Sequence, residues 1–407
     1  MAHVEDRRWK SERDPRTGDA QRVKSSLYGK GLRYRVRYID PDGKERSRSF
    51  PDKAKRQADN FLIEVESNKL EGKYVDPKAG EVKFEPYARN WLNGQSQDAS
   101  TLQTLLSKLE HQLFPFFGEK RLKEIGPEQV RDWLASRREK KLSITYQAAM
   151  FNLLSAIFSA AVDDKKIGSN PCKSKGVKRP KAEQRKVVVW RQSKLDRVQL
   201  ALPDRYSILP QMGAGAGLRQ GEMFALSPED IDRAELKLNV VRQIRLIDNQ
   251  LVFALPKGGK TRQVPLGEGL LERFDAYMQR FPPMTVILPW NEPGGRPLTV
   301  DLILVNQHGE PCHRTHVNFH VWRAAFKQAG LVYKPREDGM HALRHFYASI
   351  MLANGVSVRE LAEYLGHADP GFTLKVYTHL VPSSHQRGRK AVNGLYRPSK
   401  IVKPETA

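Results

Sequence analysis

The sequence predicts a multidomain chain, mainly α with α+β parts: a small β-sheet plus helix first, a helical domain next, and a mixed α/β domain in the carboxyl half. Three observations carry this. Polar and apolar residues alternate from Arg33 to Phe50, apolar residues recur at helical spacing between about 82 and 171, and helical runs alternate with short strand-like runs beyond about 195. A basic stretch, Cys172 to Lys194, separates the last two.

Composition narrows the class. The chain has 407 residues, a formal net charge of +23 and a pI near 9.9, which suggests two or three domains and a polyanionic partner without saying which polyanion. No run of eighteen or more apolar residues and no signal-peptide pattern occurs, so the expectation is a soluble, cytoplasmic protein with no membrane partner. Cys172 and Cys312 are too few for a disulfide framework.

In order along the chain, residues 1–26 are rich in charge with almost no apolar content and read as a mobile basic tail. Residues 27–78 read as a three-stranded sheet plus helix. Arg33 to Asp40 alternates Arg33, Arg35 and Arg37 with Tyr34, Val36 and Tyr38, Asp42-Gly43 turns the chain, and Glu45 to Phe50 returns. A helix from about Asp52 to Leu70 offers Ala54, Ala58, Phe61, Leu62 and Val65 to cover the apolar face. The arginine face can lie in a DNA groove, or can equally be a solvated edge protected by its charge.

Residues 82–171 read as four amphipathic helices, a bundle. The first carries Phe84, Tyr87, Ala88, Trp91 and Leu92; the second carries Leu102, Leu105, Leu106 and Leu109 and is broken by Pro115 and Gly118; Gly126-Pro127 opens the third and Ser143 the fourth. Residues 172–194 hold nine Lys or Arg against one acid and read as a linker whose Lys173, Lys175, Lys178, Arg179 and Lys181 track phosphates. A merely soluble linker is the bland alternative.

Residues 195–385 form the α/β part, with a tail from 386 to 407. Gly213, Gly215, Gly217 and Gly221 match neither GxGxxG nor a P-loop. They suit a turn that lets Arg219 approach a ligand while Glu222, three residues on, orients its guanidinium. Leu238 to Leu246, Gln250 to Leu255 and Gln263 to Leu266 read as one small antiparallel sheet, with Lys257 and Lys260 on a glycine turn. His313, His316 and His320 share a helical face, but no second ligand pair accompanies them, so no metal is expected.

From His341 to Leu380 three short helices follow. Asn354-Gly355 stops the first, a Ser357/Glu360 capping box opens the second, Gly366 ends it, and Asp369-Pro370 opens the third. His341, Arg344, His367 and Tyr377 lie at or near their ends. These residue types suit phosphodiester chemistry: two guanidinium forks and a histidine can hold phosphate oxygens while a phenol attacks. Each alone is more often structural; the ordered set is what has meaning.

That set, His341-Ala-Leu-Arg344-His, Leu365-Gly-His367 and Val376-Tyr377-Thr-His379, resembles the second signature box of the tyrosine recombinases, the lambda-type integrase family. Ala216-Gly-Leu-Arg219-Gln-Gly-Glu222-Met-Phe-Ala-Leu resembles the first box, and the run KGGKTRQVPL matches the family's lysine hairpin, favouring Lys257 over Lys260 as the catalytic lysine. AVDDKKIGSNP is similar to the end of the core-binding domain, and residues 27–78 loosely resemble the arm-binding domain.

The resemblance implies a site-specific recombinase. Tyr377 would form a 3′-phosphotyrosyl link with Arg219, Arg344 and His367 on the phosphate, His341 taking the phenol proton and Lys257 protonating the 5′ oxygen. No cofactor, metal or ATP is implied. The implied partners are double-stranded attachment sites, a homotetramer on synapsed DNA, an excision factor and a host DNA-bending protein, in a bacterial nucleoid; the carboxyl tail would dock on a neighbouring protomer. A type IB topoisomerase-like relaxing enzyme, a non-catalytic DNA-binding regulator and a metal-dependent nuclease are the alternatives.

Overall fold

A three-stranded antiparallel sheet and one helix open the chain. In the computed structural model, which describes residues 2–14, 18–41, 43–71, 74–76, 78–181, 187–377, 389, 392, 393 and 396, strands β1 (His3–Asp6), β4 (Tyr34–Ile39) and β5 (Glu45–Phe50) pair in the order β1-β4-β5. Strands β2 (Trp9–Arg13) and β3 (Ala20–Lys24) make a separate hairpin. Period-two alternation puts Tyr34, Val36, Tyr38 and Phe50 on one face, which packs against Ala58, Phe61, Leu62 and Val65 of α1 (Lys55–Leu70).

The reading of residues 1–26 as a mobile tail is therefore corrected, because the sheet's third strand comes from them. Val4 lies opposite Val36 and Glu5 opposite Arg35, and the acids of β1 form ion pairs diagonally across the ladder: Arg33, just before β4, reaches Asp6 at 3.0 Å and Arg37 reaches Glu5 at 3.1 Å. Opposite charges on neighbouring strands substitute for the alternation that β1 lacks.

The helical region follows: α2 (Phe84–Asn93), α3 (Ala99–Lys108), a π-helical turn Leu109–Leu113 that runs into the short α4 (Phe114–Phe117), α5 (Pro127–Glu139) and α6 (Ile144–Asp163). The chain stays helical past Pro115 instead of breaking there. The wider π turn precedes the proline, Pro115 sits in the first turn of α4 where a missing N–H is tolerated, and Gly118 is the end. Phe84, Phe117, Trp133 and Phe158 are buried together, with Phe84 ring centroids 5.7 and 5.6 Å from those of Phe117 and Phe158. Helix α6 is long and apolar enough to cross a membrane by length and composition, but Met150, Leu154, Ile157 and Phe158 fill this core.

The basic stretch after α6 is better anchored than expected. Cys172 and Val177 bury into the helical core, Trp190 into the core of the carboxyl half, and 182–186 lie outside the described residues. The chain forms two compact units, residues 1–183 and 184–407.

In the second unit, α7 (Gln192–Leu200), a π-helical turn Gln211–Gly215 and α8 (Gln220–Phe224) precede β6 (Ile231–Asp232), β7 (Lys237–Val240), β8 (Gln243–Ile247), β9 (Gln250–Ala254) and β10 (Arg262–Pro265). The single sheet expected here is two: β10-β7-β6 and the β8-β9 hairpin. The predicted strand Leu238 to Leu246 breaks where Arg242 turns back to the buried Asp230, 2.8 Å away. Then come α9 (Glu268–Arg280), the hairpin β11 (Met284–Pro289) and β12 (Pro297–Leu302), α10 (Arg314–His316), a π-helical stretch Val317–Trp322 and α11 (Arg323–Gln328). Last are α12 (His341–Ala353), α13 (Val358–Leu365) and α14 (Pro370–Tyr377), each bounded by the capping residues read from the sequence. The carboxyl tail from Gln386, apart from residues 389, 392, 393 and 396, and His379 lie outside the described residues.

Removing the ring at the centre of the helical core is expected to leave a cavity that this tightly packed aromatic group cannot close. Phe84→Ala should destabilise the helical region by about 3–5 kcal/mol, read as a lowered urea midpoint.

Candidate active site

Glu222 is where the site begins. It sits in the first turn of α8, its carboxylate fully buried, and each oxygen is used twice. Oε2 accepts from the Arg219 backbone N–H at 2.8 Å and from Arg262 Nη2 at 2.6 Å; Oε1 accepts from Arg219 Nη1 at 2.9 Å and Arg262 Nη1 at 2.8 Å. Burial alone would push this carboxyl up; the two guanidiniums outweigh it and hold it at about 2. The Arg219-Glu222 spacing read from the sequence thus makes an ion pair, but Arg262 on β10 makes it a bracket.

From this bracket the other boxes are reached through backbone carbonyls. Arg262 Nε donates to Tyr364 O at 2.7 Å and Arg219 Nη2 to Gly366 O at 3.3 Å, both at the end of α13. Arg344, 1 % exposed on α12, donates from Nη1 to Gly217 O at 2.7 Å and from Nη2 to Leu365 O, with His367 Nε2 3.3 Å away. Two glycines make these approaches possible. Gly217 has φ +62° and a Cβ there would lie 2.6 Å from the Tyr347 ring; Gly366 has φ +61° and a Cβ would lie 2.9 Å from Arg262 Cδ.

The geometry brings Arg219, Arg344, His367 and Tyr377 to one locality. His367 Nδ1 lies 2.6 Å from Thr373 Oγ1, which fixes the ring against α14. Tyr377 ends α14, is 2 % exposed, and has its hydroxyl 2.7 Å from Nδ1 of His345. His341, expected to take the phenol proton, lies one turn earlier, its ring centroid 4.6 Å from that of His345. Lys257 is exposed at the β9–β10 turn, where Gly258 and Gly259 both have positive φ, and its charge is felt at His341; Lys260 is exposed on the same turn.

Three guanidiniums face one carboxylate here. Desolvation first, then neighbouring positive charge, pushes His341 and His367 down to about 4, His345 to about 3 and Arg344 to about 9. Burial holds the Tyr377 phenol up at about 12 although Arg344 and Arg219 pull it down. The histidines are therefore neutral near pH 7, Arg344 is charged, and an anion would be favoured among these side chains. Among the described residues no three His, Cys, Asp or Glu side chains converge on a common ion position; His316 and His320 lie with ring centroids 5.0 Å apart.

The proposed DNA-facing arginines are partly occupied. Arg33 pairs with Asp6 and Asp52, and Arg37 with Glu5 and Glu45, whereas Arg35 bonds the Ser47 hydroxyl at 3.0 Å. Lys173, Lys175, Lys178, Arg179 and Lys181 are all exposed.

A model of the phage integrase family matches residues 199–383, and one of the phage integrase central domain matches residues 84–175. The chain belongs to the phage integrase family. It is a tyrosine-type site-specific DNA recombinase. A putative prophage phiRv2 integrase of Mycobacterium tuberculosis is 26 % identical over 357 residues, covering 85 % of this chain and 88 % of the relative. The integrase of Mycobacterium phage L5 is 26 % identical over 300 residues, covering 73 % of this chain and 75 % of the relative. In fold, the chain is similar to the Tn1549 transposon integrase solved with transposon right end DNA, with TM-score 0.63 and 17 % identity over 78 % of this chain and all of that one. It is likewise similar to a lambda integrase dimer bound to a core site, with TM-score 0.56 and 16 % identity over 84 % of this chain and 91 % of that one.

In this integrase, sequence reasoning missed Arg262 and His345. The His341/His345 spacing of four residues on one helix could have revealed the second histidine; nothing local marks Arg262.

Glu222→Gln leaves two buried guanidiniums facing an amide and is expected to cost about 3–5 kcal/mol at pH 7. The sign with pH follows from the lowered carboxyl. Its stabilising contribution is present above the ordinary value of 4.5 and is lost as pH falls toward about 2. Denaturant titrations at stepped pH should show that acid-side loss in the wild type and not in the Gln variant.

Proposed function

We propose that this integrase cuts and rejoins DNA through a 3′-phosphotyrosyl intermediate on Tyr377, and that it integrates, and can excise, a phage or other mobile element. The observation that carries this reading is the phenol held at the edge of a pocket whose arginines exceed its carboxylates. Arg219 and Arg344 take the non-bridging oxygens of the scissile phosphate and neutralise the charge that grows on the phosphorane. His367 adds a donor to the same oxygens. Lys257, on a glycine turn, protonates the departing 5′ oxygen, and His341 lines the mouth of the pocket.

The bond energy is kept in the phosphotyrosyl link, so the 5′ hydroxyl of a second duplex can attack it without ATP. Guanidinium groups supply the positive charge the transition state needs. Because Tyr377 is 2 % exposed, DNA binding has to uncover the hydroxyl before it meets phosphorus.

The remaining partners follow the same reading. Double-stranded attachment sites are gripped by the helical region (residues 82–171), the exposed lysines and arginine of the basic stretch, and the amino-terminal sheet, with Arg35 the arginine of β4 best placed to exchange its neutral partner for phosphate. Four protomers act on synapsed DNA inside a bacterial cell, associated with the nucleoid. An excision factor and a DNA-bending protein of the host complete the set.

The test uses a plasmid carrying the DNA that flanks the coding sequence, incubated with EDTA and then denatured. Wild type should leave a covalent protein–DNA adduct and Tyr377→Phe none; Arg219→Ala and Arg344→Ala should form it about 10²–10³-fold more slowly. Adduct from Tyr377→Phe, or none from wild type only when EDTA is present, overturns the reading.

A further inference from the structure

We propose that His345 is the catalytic residue that accepts the Tyr377 proton. This rests on Tyr377 being the nucleophile. The hydroxyl meets Nδ1 of His345 at 2.7 Å, with the two ring centroids 5.6 Å apart, while the His341 ring meets the His345 ring edge-on at 4.6 Å between centroids. Both histidines lie on one face of α12, one turn apart, so the later one reaches α14 and the earlier one stands at the helix's start, on the Lys257 side.

The step balances without another reactant. As Oη bonds to phosphorus, its proton passes to the Nδ1 lone pair, the P–O5′ bond breaks, and O5′ takes a proton from the Lys257 ammonium. On rejoining, the incoming 5′ hydroxyl returns its proton to Lys257 and the His345 imidazolium returns its own to Oη as the phosphotyrosyl bond breaks.

Free protein and complex differ in what His345 can do. With no phosphate present, desolvation and the nearby His341 and Arg344 leave the imidazole a very weak base, and the phenol keeps its proton. A phosphate on Arg344 offsets the charge part of that suppression of His345, and bond formation to phosphorus makes the Oη proton acidic. Proton acceptance is thereby tied to the presence of substrate.

A buried phenol also needs a hydrogen-bond partner for purely structural reasons, so the test separates accepting a bond from accepting a proton. Asn places an acceptor oxygen near the position of Nδ1 but cannot take the proton. On the DNA fragment that wild type converts to adduct, single-turnover adduct formation by His345→Asn should fall about 10²-fold or more, with DNA affinity unchanged. Added imidazole should restore part of the rate to His345→Ala. A wild-type rate for His345→Asn, or a loss at least tenfold greater for His341→Asn than for His345→Asn, overturns the proposal. Adduct from Tyr377→Phe overturns the nucleophile reading instead.

Discussion

One buried carboxylate sets the arrangement of this site. Glu222 is bonded by the guanidiniums of Arg219 and Arg262 and by the Arg219 backbone, so the turn before α8, strand β10 and the end of α13 are tied through a single side chain. Taking a carboxylate out of water is unfavourable unless its lone pairs are filled, and here they are filled from two segments distant in sequence. The cost of losing either partner is what makes the geometry definite. Arg219 cannot swing away without leaving half of a buried charge unmatched, so its remaining donor is held toward the α13–α14 loop before any substrate arrives.

The same bracket decides the electrostatics around it. Glu222 balances one of three guanidiniums, and among the described residues Arg344 draws only backbone carbonyls and a neutral histidine. Carbonyl dipoles solvate a cation but do not cancel its charge. Burial first, and this excess after it, lowers the histidines, while the excess restrains the phenol that burial pushes up. A phosphate diester on Arg344 relieves the charge part of the histidines' lowering, though not the burial that contributes most to it, and it removes the pull that restrains the phenol. Binding of the anion thus favours proton acceptance by the histidines over spontaneous ionisation of the phenol, because the two respond to the same uncompensated charge in opposite senses.

What could be read from the sequence was what is decided locally. The limits of α12, α13 and α14 were legible because Asn354-Gly355, the Ser357/Glu360 box and Gly366 act within a turn of the positions they punctuate. Arg219 and Glu222 were legible as a pair because three residues on a helix is a contact distance. Strand β1 was not, since its acids are meaningful only beside Arg33 and Arg37, and the break between β7 and β8 was not, since it depends on Arg242 reaching Asp230. Arg262 has the same character: it looks like an ordinary strand arginine until the fold brings Glu222 and Tyr364 O to it.

The amino-terminal arginines show how far composition can mislead about available charge. A net charge of +23 suggests that each basic row is open to a polyanion, yet Arg33 and Arg37 each hold two carboxylates. Exposed ion pairs of this kind are weak, so a phosphate can compete for the guanidinium, but each such exchange releases a carboxylate that then repels the DNA. Arg35 and the basic residues of the stretch after α6 carry no such opposing charge among their described partners. On the proposed function, association driven by charge would favour the basic stretch, while the sheet would engage DNA only where shape brings Arg35 close and lets Arg33 and Arg37 displace their own acids. Attraction and discrimination would then be divided between segments that composition alone makes look alike.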